Sequence, residues 1–297
     1  MSQPQSVTIN PADLKFIDEA VEYLENPSFL MKTANLLGKP VESLGHLLPE
    51  RIRDTAAGVV DNALTKALEV ALVTLPSKTG QQLQGVLDLE AVAGEGRWDR
   101  MKHNLAAGMT GAVAGSLGVK ALAIELPITT TIMMRDIAAV AMSYGEDASD
   151  QSVKLQCLSV FSIGGAGDDV DRGQSAMEST YYASRVALAN LMREAVQYVS
   201  RRSAEQLARD LTSGASPVLV RLIAQVASRF NLVVNQKLVA QAVPAIGAVG
   251  GALVNVAFNA HFDRVARYHF GIRALERKYG NETVQSAYHA ALNAAKK

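Results

Sequence analysis

An all-α bundle of many helices is the fold this sequence predicts, on three observations. Helix caps and stops recur along the whole chain, whereas the strict apolar–polar alternation of a strand is scarce. Hydrophobic residues make up 48% of the 297, yet aromatics only 5%, which favours thin, closely packed helices over a wide aromatic core. Two stretches, 104–134 and 238–260, are rich in Gly and Ala, almost free of charge, and interrupted by Pro127 and Pro244. They read as two closely packed Gly/Ala-rich central helices.

The elements follow in order. Asn10-Pro11 is an N-cap followed by proline at the first helical position, and Asp13 suits the first turn. Leu14, Ile17, Val21 and Leu24 then recur at helical spacing until Asn26-Pro27. A short apolar piece spans 29–37. Residues 51–75 form a longer helix closed by Pro76, and 77–96 are the least regular part. A fresh helix after Pro127 is expected to end at Tyr144-Gly145, where glycine supplies the left-handed residue. Ser149 and Asp150 cap a helix through Cys157 to Phe161, followed by a Gly- and Asp-rich loop. One long amphipathic helix is expected over 174–211, with Leu188, Leu191, Ala195 and Val199 on one face. Ser216-Pro217 opens the next helix, and Tyr279-Gly280-Asn281 separates the last two.

Inside the Gly-rich stretches, Gly111 and Gly115 lie four residues apart, as do Gly247 and Gly251, so each pair shares one helix face. Glycine in a helix costs roughly 0.5–1 kcal/mol relative to alanine, a cost that close backbone contact can offset. Tight packing within a bundle and partial insertion in lipid both fit this spacing. Residues 104–119 are charge-free but shorter than the about 20 residues a spanning helix needs. Residues 238–260 are long enough, but carry Gln241, Pro244, Asn255 and Asn259, which would need partners in lipid.

The single Cys157 excludes an internal disulfide framework and fits a reducing compartment. The polar start of the chain lacks the charged and apolar regions of a cleaved signal peptide. Formal charge is balanced overall but not locally. Residues 1–180 hold 14 Lys and Arg against 23 Asp and Glu, and 181–297 hold 15 against 6. Either the two halves dock through complementary fields, or the basic half faces anionic lipid.

A family resemblance rests on specific residues. A small-residue helix ends in Glu125-Leu126-Pro127, then come Arg135, Ala138, Tyr144-Gly145 and Cys157-Leu158. Pro244, Gly247, Gly251, Asn255, Phe258, His261, Ala266, His269-Phe270, Arg273, Leu275 and Glu276 complete the pattern. In these the chain resembles the EcsC family of bacterial proteins, over roughly 51–280. The resemblance divides the chain into an N-terminal helical extension, 1–50, and an EcsC-like helical domain, 51–297, as one compact unit. It implies a helical, intracellular and often membrane-associated protein, associated with an ABC-type exporter, with no established catalytic residues.

Candidate chemistry concentrates on the helix that follows Pro244. At 100° per residue, Asn255, Asn259, His269, Arg273 and Glu276 share a broad stripe with Phe258, Phe262, Ala266 and Phe270. Such a stripe lines a pocket for an amphiphile or forms an interhelical polar network. His261 and His269 project about 80° apart, unlike the i, i+4 pair of a zincin, and no metal is expected. Arg135 and Asp136 are the only charges between Leu126 and Gly145, and Arg135 is expected to be buried and to pair with Glu276 or Glu125. Cys157 has no neighbouring base and reads as an inert thiol. No nucleophile elbow, EF-hand, phosphate loop or dinucleotide fingerprint occurs, so no cofactor is implied. Arg193, Arg201, Arg202 and Arg209 suit a solvated helix face or anionic lipid headgroups. Nucleic acid is disfavoured by neutral charge and the lack of a binding motif.

These readings converge on a cytoplasmic protein peripheral to the inner membrane, a non-catalytic accessory or lipid-contacting component of an envelope or export process. The alternatives are a hydrolase acting on a lipid-like or peptide substrate through His261, His269 or Glu276, and a soluble structural adaptor.

Overall fold

The computed structural model describes residues 8–25, 50–75, 118–164, 179–241 and 247–295. Among them every regular element is an α-helix: α1 (Pro11–Leu24), α2 (Glu50–Thr74), α3 (Gly118–Ser143), α4 (Gln151–Gly164), α5 (Thr180–Val199), α6 (Ala204–Thr212), α7 (Pro217–Gln241), α8 (Gly247–Tyr279) and α9 (Asn281–Ala295). The short apolar piece at 29–37, the irregular stretch 77–96, and Gly111 with Gly115 lie outside the described residues.

Helix α4 is the hub, touching α2, α3, α5, α7 and α8. It is apolar on nearly every side, with Leu155, Cys157, Leu158, Val160 and Phe161 all buried, as befits a helix surrounded by others. Helix α7 packs on α2, α4, α5 and α8. Its stretch 217–239 is long and apolar enough to cross a membrane. Leu219, Leu222, Val226, Phe230 and Val234 are nevertheless buried within the bundle, so core packing accounts for its composition.

Thin packing is most evident between α2 and α3. Ala56, Ala63, Ala67 and Ala71 alternate with Val60, Leu64 and Leu68 on the buried face of α2, at the 3–4 spacing of one helix side. That face meets Leu126, Met134, Ile137 and Ala138 of α3 in the shared core. The expected glycine contact is not described here: Gly247 and Gly251 begin α8, but their surroundings lie outside the described side chains. The second Gly-rich stretch is divided between the end of α7 and the start of α8.

Two sequence expectations need correction. Pro127 does not begin a helix but lies inside α3. The residue that loses its hydrogen-bond donor, Ala123, is exposed, so water can replace the lost bond. The helix expected over 174–211 is two helices. Ser203 stops and restarts the chain through a capping box, its hydroxyl accepting from the Gln206 amide while Gln206 accepts from its own.

Helix α1 lies antiparallel on α8. At one end Asp13 accepts from Lys278 Nζ at 2.8 Å and from the Tyr279 hydroxyl at 2.6 Å. At the other, Tyr23 meets His261 at 3.0 Å. Midway, Phe16 packs on Tyr268 at 5.6 Å between ring centroids and lies directly over Gly271. A methyl at Gly271 would occupy the space of that ring. Gly271→Ala is therefore expected to cost about 1–3 kcal/mol, seen as a lowered Tm. Adding Phe16→Leu should recover part of the loss.

The two oppositely charged halves are joined by ion pairs. Lys237 meets Glu125, Arg273 and Arg277 share Glu146, and Lys278 meets Asp13. Complementary docking of the halves is thus part of the fold.

Candidate functional site

Helix α8 presents its polar stripe to three different neighbours. His261 is held at both ring nitrogens, Nδ1 by the Tyr23 hydroxyl at 3.0 Å and Nε2 by the Gly164 carbonyl at 3.0 Å. Nε2 must donate to that carbonyl, so Nδ1 accepts from Tyr23. His261 therefore joins α1, α4 and α8 as a structural pin. Asn255 is buried, and Asn259, 3% exposed, has no hydrogen-bond partner for either amide atom among the described residues.

Two turns further on, His269, Arg273 and Glu276 reach the floor of a groove of about 530 Å³ between α4, α5, α8 and α9. Tyr182, Arg185, Leu188 and Met192 form the α5 wall, and Asn281 and Gln285 the α9 edge. Its α5 wall is mixed, with Tyr182, Arg185, Arg193 and Gln197 polar and Val186, Leu188, Met192 and Val196 apolar.

The polar end is built around an ion pair. Arg185 donates to Glu276 through both terminal nitrogens, at 2.6 and 2.9 Å, a bidentate geometry. Its guanidinium also stacks near the rings of Tyr181 and Tyr182, 5.4 and 5.3 Å from their centroids. Arg185 Nη1 further donates to the Tyr181 hydroxyl at 3.3 Å, and that hydroxyl contacts His269 Nδ1 at 3.2 Å. Burial pushes the Tyr181 hydroxyl up to about 12, so it keeps its proton, and His269 Nδ1 is the acceptor within reach of it. His269 then carries its own proton on Nε2, which is buried without a partner among the described residues. An unmet buried donor costs about 1–3 kcal/mol.

Burial, reinforced by Arg185 and Arg273, holds the His269 imidazole well below its usual 6.5. It is neutral in the folded protein but takes up a proton in the unfolded chain once pH falls below about 6.5. The unfolded state then binds more protons, so stability falls with acidification by up to about 1.4 kcal/mol per pH unit. His269→Gln is expected to flatten this slope between pH 6.5 and 5, measured by urea unfolding at each pH.

Helix α5 is aimed at this cluster by a carboxylate. Glu25, just after α1, accepts from the amides of Thr180 and Tyr181 at 2.7 and 3.3 Å, and from Ser179 Oγ. It also accepts from the Tyr288 hydroxyl at 2.9 Å. A negative charge on the open amides of a helix N-terminus is favourable, and here it ties α1, α5 and α9 together. Arg273 Nε donates to Glu146 at 3.0 Å, while Arg277 takes the same carboxylate at 2.6 Å and the Tyr144 carbonyl at 2.6 Å.

The expected site residues thus separate. His269, Arg273 and Glu276 come together at the groove, with Arg193 on its rim, whereas Asn255, Asn259 and His261 lie elsewhere along α8. Arg135 is a correction. It is exposed and donates to Thr74 Oγ1 at 3.2 Å, while Glu276 and Glu125 are taken by Arg185 and Lys237. Arg135 points outward because the opposite side of α3, Met133 and Ile137, faces the core. Arg201 and Arg209 are exposed, while Arg202 sits 3.6 Å over the Tyr198 ring and pairs with Asp210 at 3.4 Å.

Sequence reasoning missed Tyr181, Tyr182, Arg185 and Glu25. The i, i+4 spacing of Tyr181 and Arg185 was a usable signal, but nothing local linked them to α8. His269 bonds to a tyrosine rather than to a serine, threonine or cysteine. Burial pushes the Cys157 thiol far up, so it is no ready nucleophile. Among the described residues no group of three or more His, Cys, Asp or Glu could hold a metal ion.

The sequence pattern of the EcsC protein family matches residues 14–275. The match begins within α1, ahead of the span 51–280 that carries the motifs. No curated protein matches the chain, and no solved structure does.

Proposed function

This chain belongs to the EcsC protein family, and from that premise we propose that it is a non-catalytic, membrane-contacting helical protein, an accessory component of an envelope or export process. The observation that carries the reading is on α3. Ile124, Ile128 and Ile132, spaced four apart on one side of the helix, are 71%, 58% and 37% exposed. Arg135 falls on the same side and bonds to Thr74 of α2. Contiguous large apolar side chains on a surface mark an interaction site rather than chance exposure.

Lipid is the occupant that fits best. The stripe comes shortly after the charge-free, Gly-rich residues 104–119, with Lys120 the one charge between them and Ile124. Its arginine can keep its charge among headgroups while the isoleucines enter the acyl boundary. Arg193, Arg201 and Arg209 offer further cationic contacts, each about 1 kcal/mol with anionic lipid. An exporter or other membrane partner would then be met at the bilayer surface.

Asp at Ile124 or Ile128 should leave the fold intact, because the positions are exposed. Each is expected to weaken binding to anionic vesicles about tenfold or more, since an apolar contact is exchanged for a charge. Vesicle co-sedimentation of the full chain is the check. Unchanged binding by the double substitution would remove α3 from the contact.

A further inference from the structure

We propose that the groove between α4, α5, α8 and α9 binds an anionic single-chain amphiphile, whose headgroup oxygens are taken by His269 Nε2–H and the terminal nitrogens of Arg273. The argument begins with unmet donors. His269 is 1% exposed, lines the groove, and its Nε2 has no partner among the described residues. With the Tyr181 hydroxyl accepting from Arg185 and donating to Nδ1, that nitrogen is the donor of the neutral ring. One turn along α8, Arg273 also lines the groove and spends only its Nε on Glu146, leaving both terminal nitrogens uncommitted among the described residues.

Charge points the same way. Glu276 is matched by Arg185, and Glu146 is shared between Arg273 and Arg277, so the polar end carries one more positive charge than negative. A carboxylate or phosphate would complete it. The remainder of the groove requires an apolar tail. Ile163, Val186, Leu188, Ala189, Met192 and Val196 line it beside Gln156, Ser159, Arg193 and Gln197, and its volume of about 530 Å³ lies in the range of small-molecule pockets. A soluble anion would leave that wall empty, and a neutral lipid would leave the donors unmet. The groove takes a single dissolved amphiphile, so the proposal stands apart from the bilayer contact of α3.

Calorimetric titration of the full chain with four dodecyl compounds below their micelle concentrations tests it: dodecanoate, dodecyl phosphate, dodecyl maltoside and dodecyltrimethylammonium. At least one anion is expected to bind ten times more tightly than the maltoside and the cation. Preference for dodecanoate identifies a fatty-acid-type ligand, and preference for the phosphate a lysophospholipid-type one. Arg273→Gln should weaken anion binding at least tenfold. Arg209→Gln, which removes an exposed arginine of α6 outside the groove lining, should change it less than twofold. Met192→Trp, which fills the apolar wall, should also abolish it without disturbing the ion pairs. Equal affinity for the maltoside, no binding of either anion, or undiminished binding by both Arg273→Gln and Met192→Trp would overturn the proposal.

Discussion

Glu125→Gln is expected to destabilise the protein by about 3–5 kcal/mol at neutral pH, because it strands a buried ammonium. Lys237 is completely buried, its Nζ lies 2.6 Å from Glu125, and the Phe258 ring centroid is 4.7 Å away. Burial already holds the Lys237 ammonium below its usual 10.5, and Glu125 is what raises it back. Without Glu125 the native pKa falls further, while the unfolded chain keeps the usual value. Between the two, the unfolded state binds more protons, so stability rises with pH. The deficit of Glu125→Gln should therefore shrink as pH is raised from 7 towards 10. Lys237→Met added to Glu125→Gln should restore most of the stability, since an apolar side chain has no charge to desolvate. Urea unfolding across that pH range measures both effects. A cost below about 1 kcal/mol, with no pH dependence, would contradict a charged Lys237 paired to Glu125.

Arg185→Met should be equally severe, at about 3–5 kcal/mol. It leaves Glu276, whose side chain is 8% exposed, with a single weak contact from the Tyr182 hydroxyl at 3.4 Å. Arg185→Lys should recover only part of the loss, because an ammonium cannot reproduce the planar fork or the ring stacking. Arg185→Met with Glu276→Met together should lie much closer to the wild type than the single substitutions sum to. That non-additivity, read from a double-mutant cycle in denaturant, isolates the pair itself. Additive losses would mean that Arg185 acts through its packing on Tyr181 and Tyr182 alone.

Helix ends were the most legible part of the sequence. Asn10 caps α1, accepting from the Asp13 amide at 2.7 Å, and Gly145 and Gly280 take the left-handed conformation, φ 83° and 88°. The break at Ser203 was less visible, because the apolar periodicity of α5 runs on into Leu207 and Leu211 and masks the capping box between them. The α8 stripe gave half of the groove: His269, Arg273 and Glu276 share a face through helical spacing alone. Their partners come from distant sequence, Arg185 being 91 residues from Glu276 and Glu146 127 residues from Arg273, and no periodicity joins such positions. Arg135 was misread because its apolar neighbours suggested burial. Helix α3 is apolar on two sides, with Leu122, Leu126 and Met133 inward and Ile124, Ile128 and Ile132 outward. Composition alone cannot tell such sides apart.

Those outward isoleucines bear the central claim, that the protein contacts lipid through α3. Flotation of the purified full chain with neutral and with anionic vesicles, at low and at high salt, tests it most directly. The account predicts flotation with anionic vesicles that weakens as salt screens the arginines, and that is lost when Ile124 and Ile128 are both replaced by Asp. A wild-type chain that stays at the bottom of the gradient with every vesicle, at every salt concentration, would contradict it.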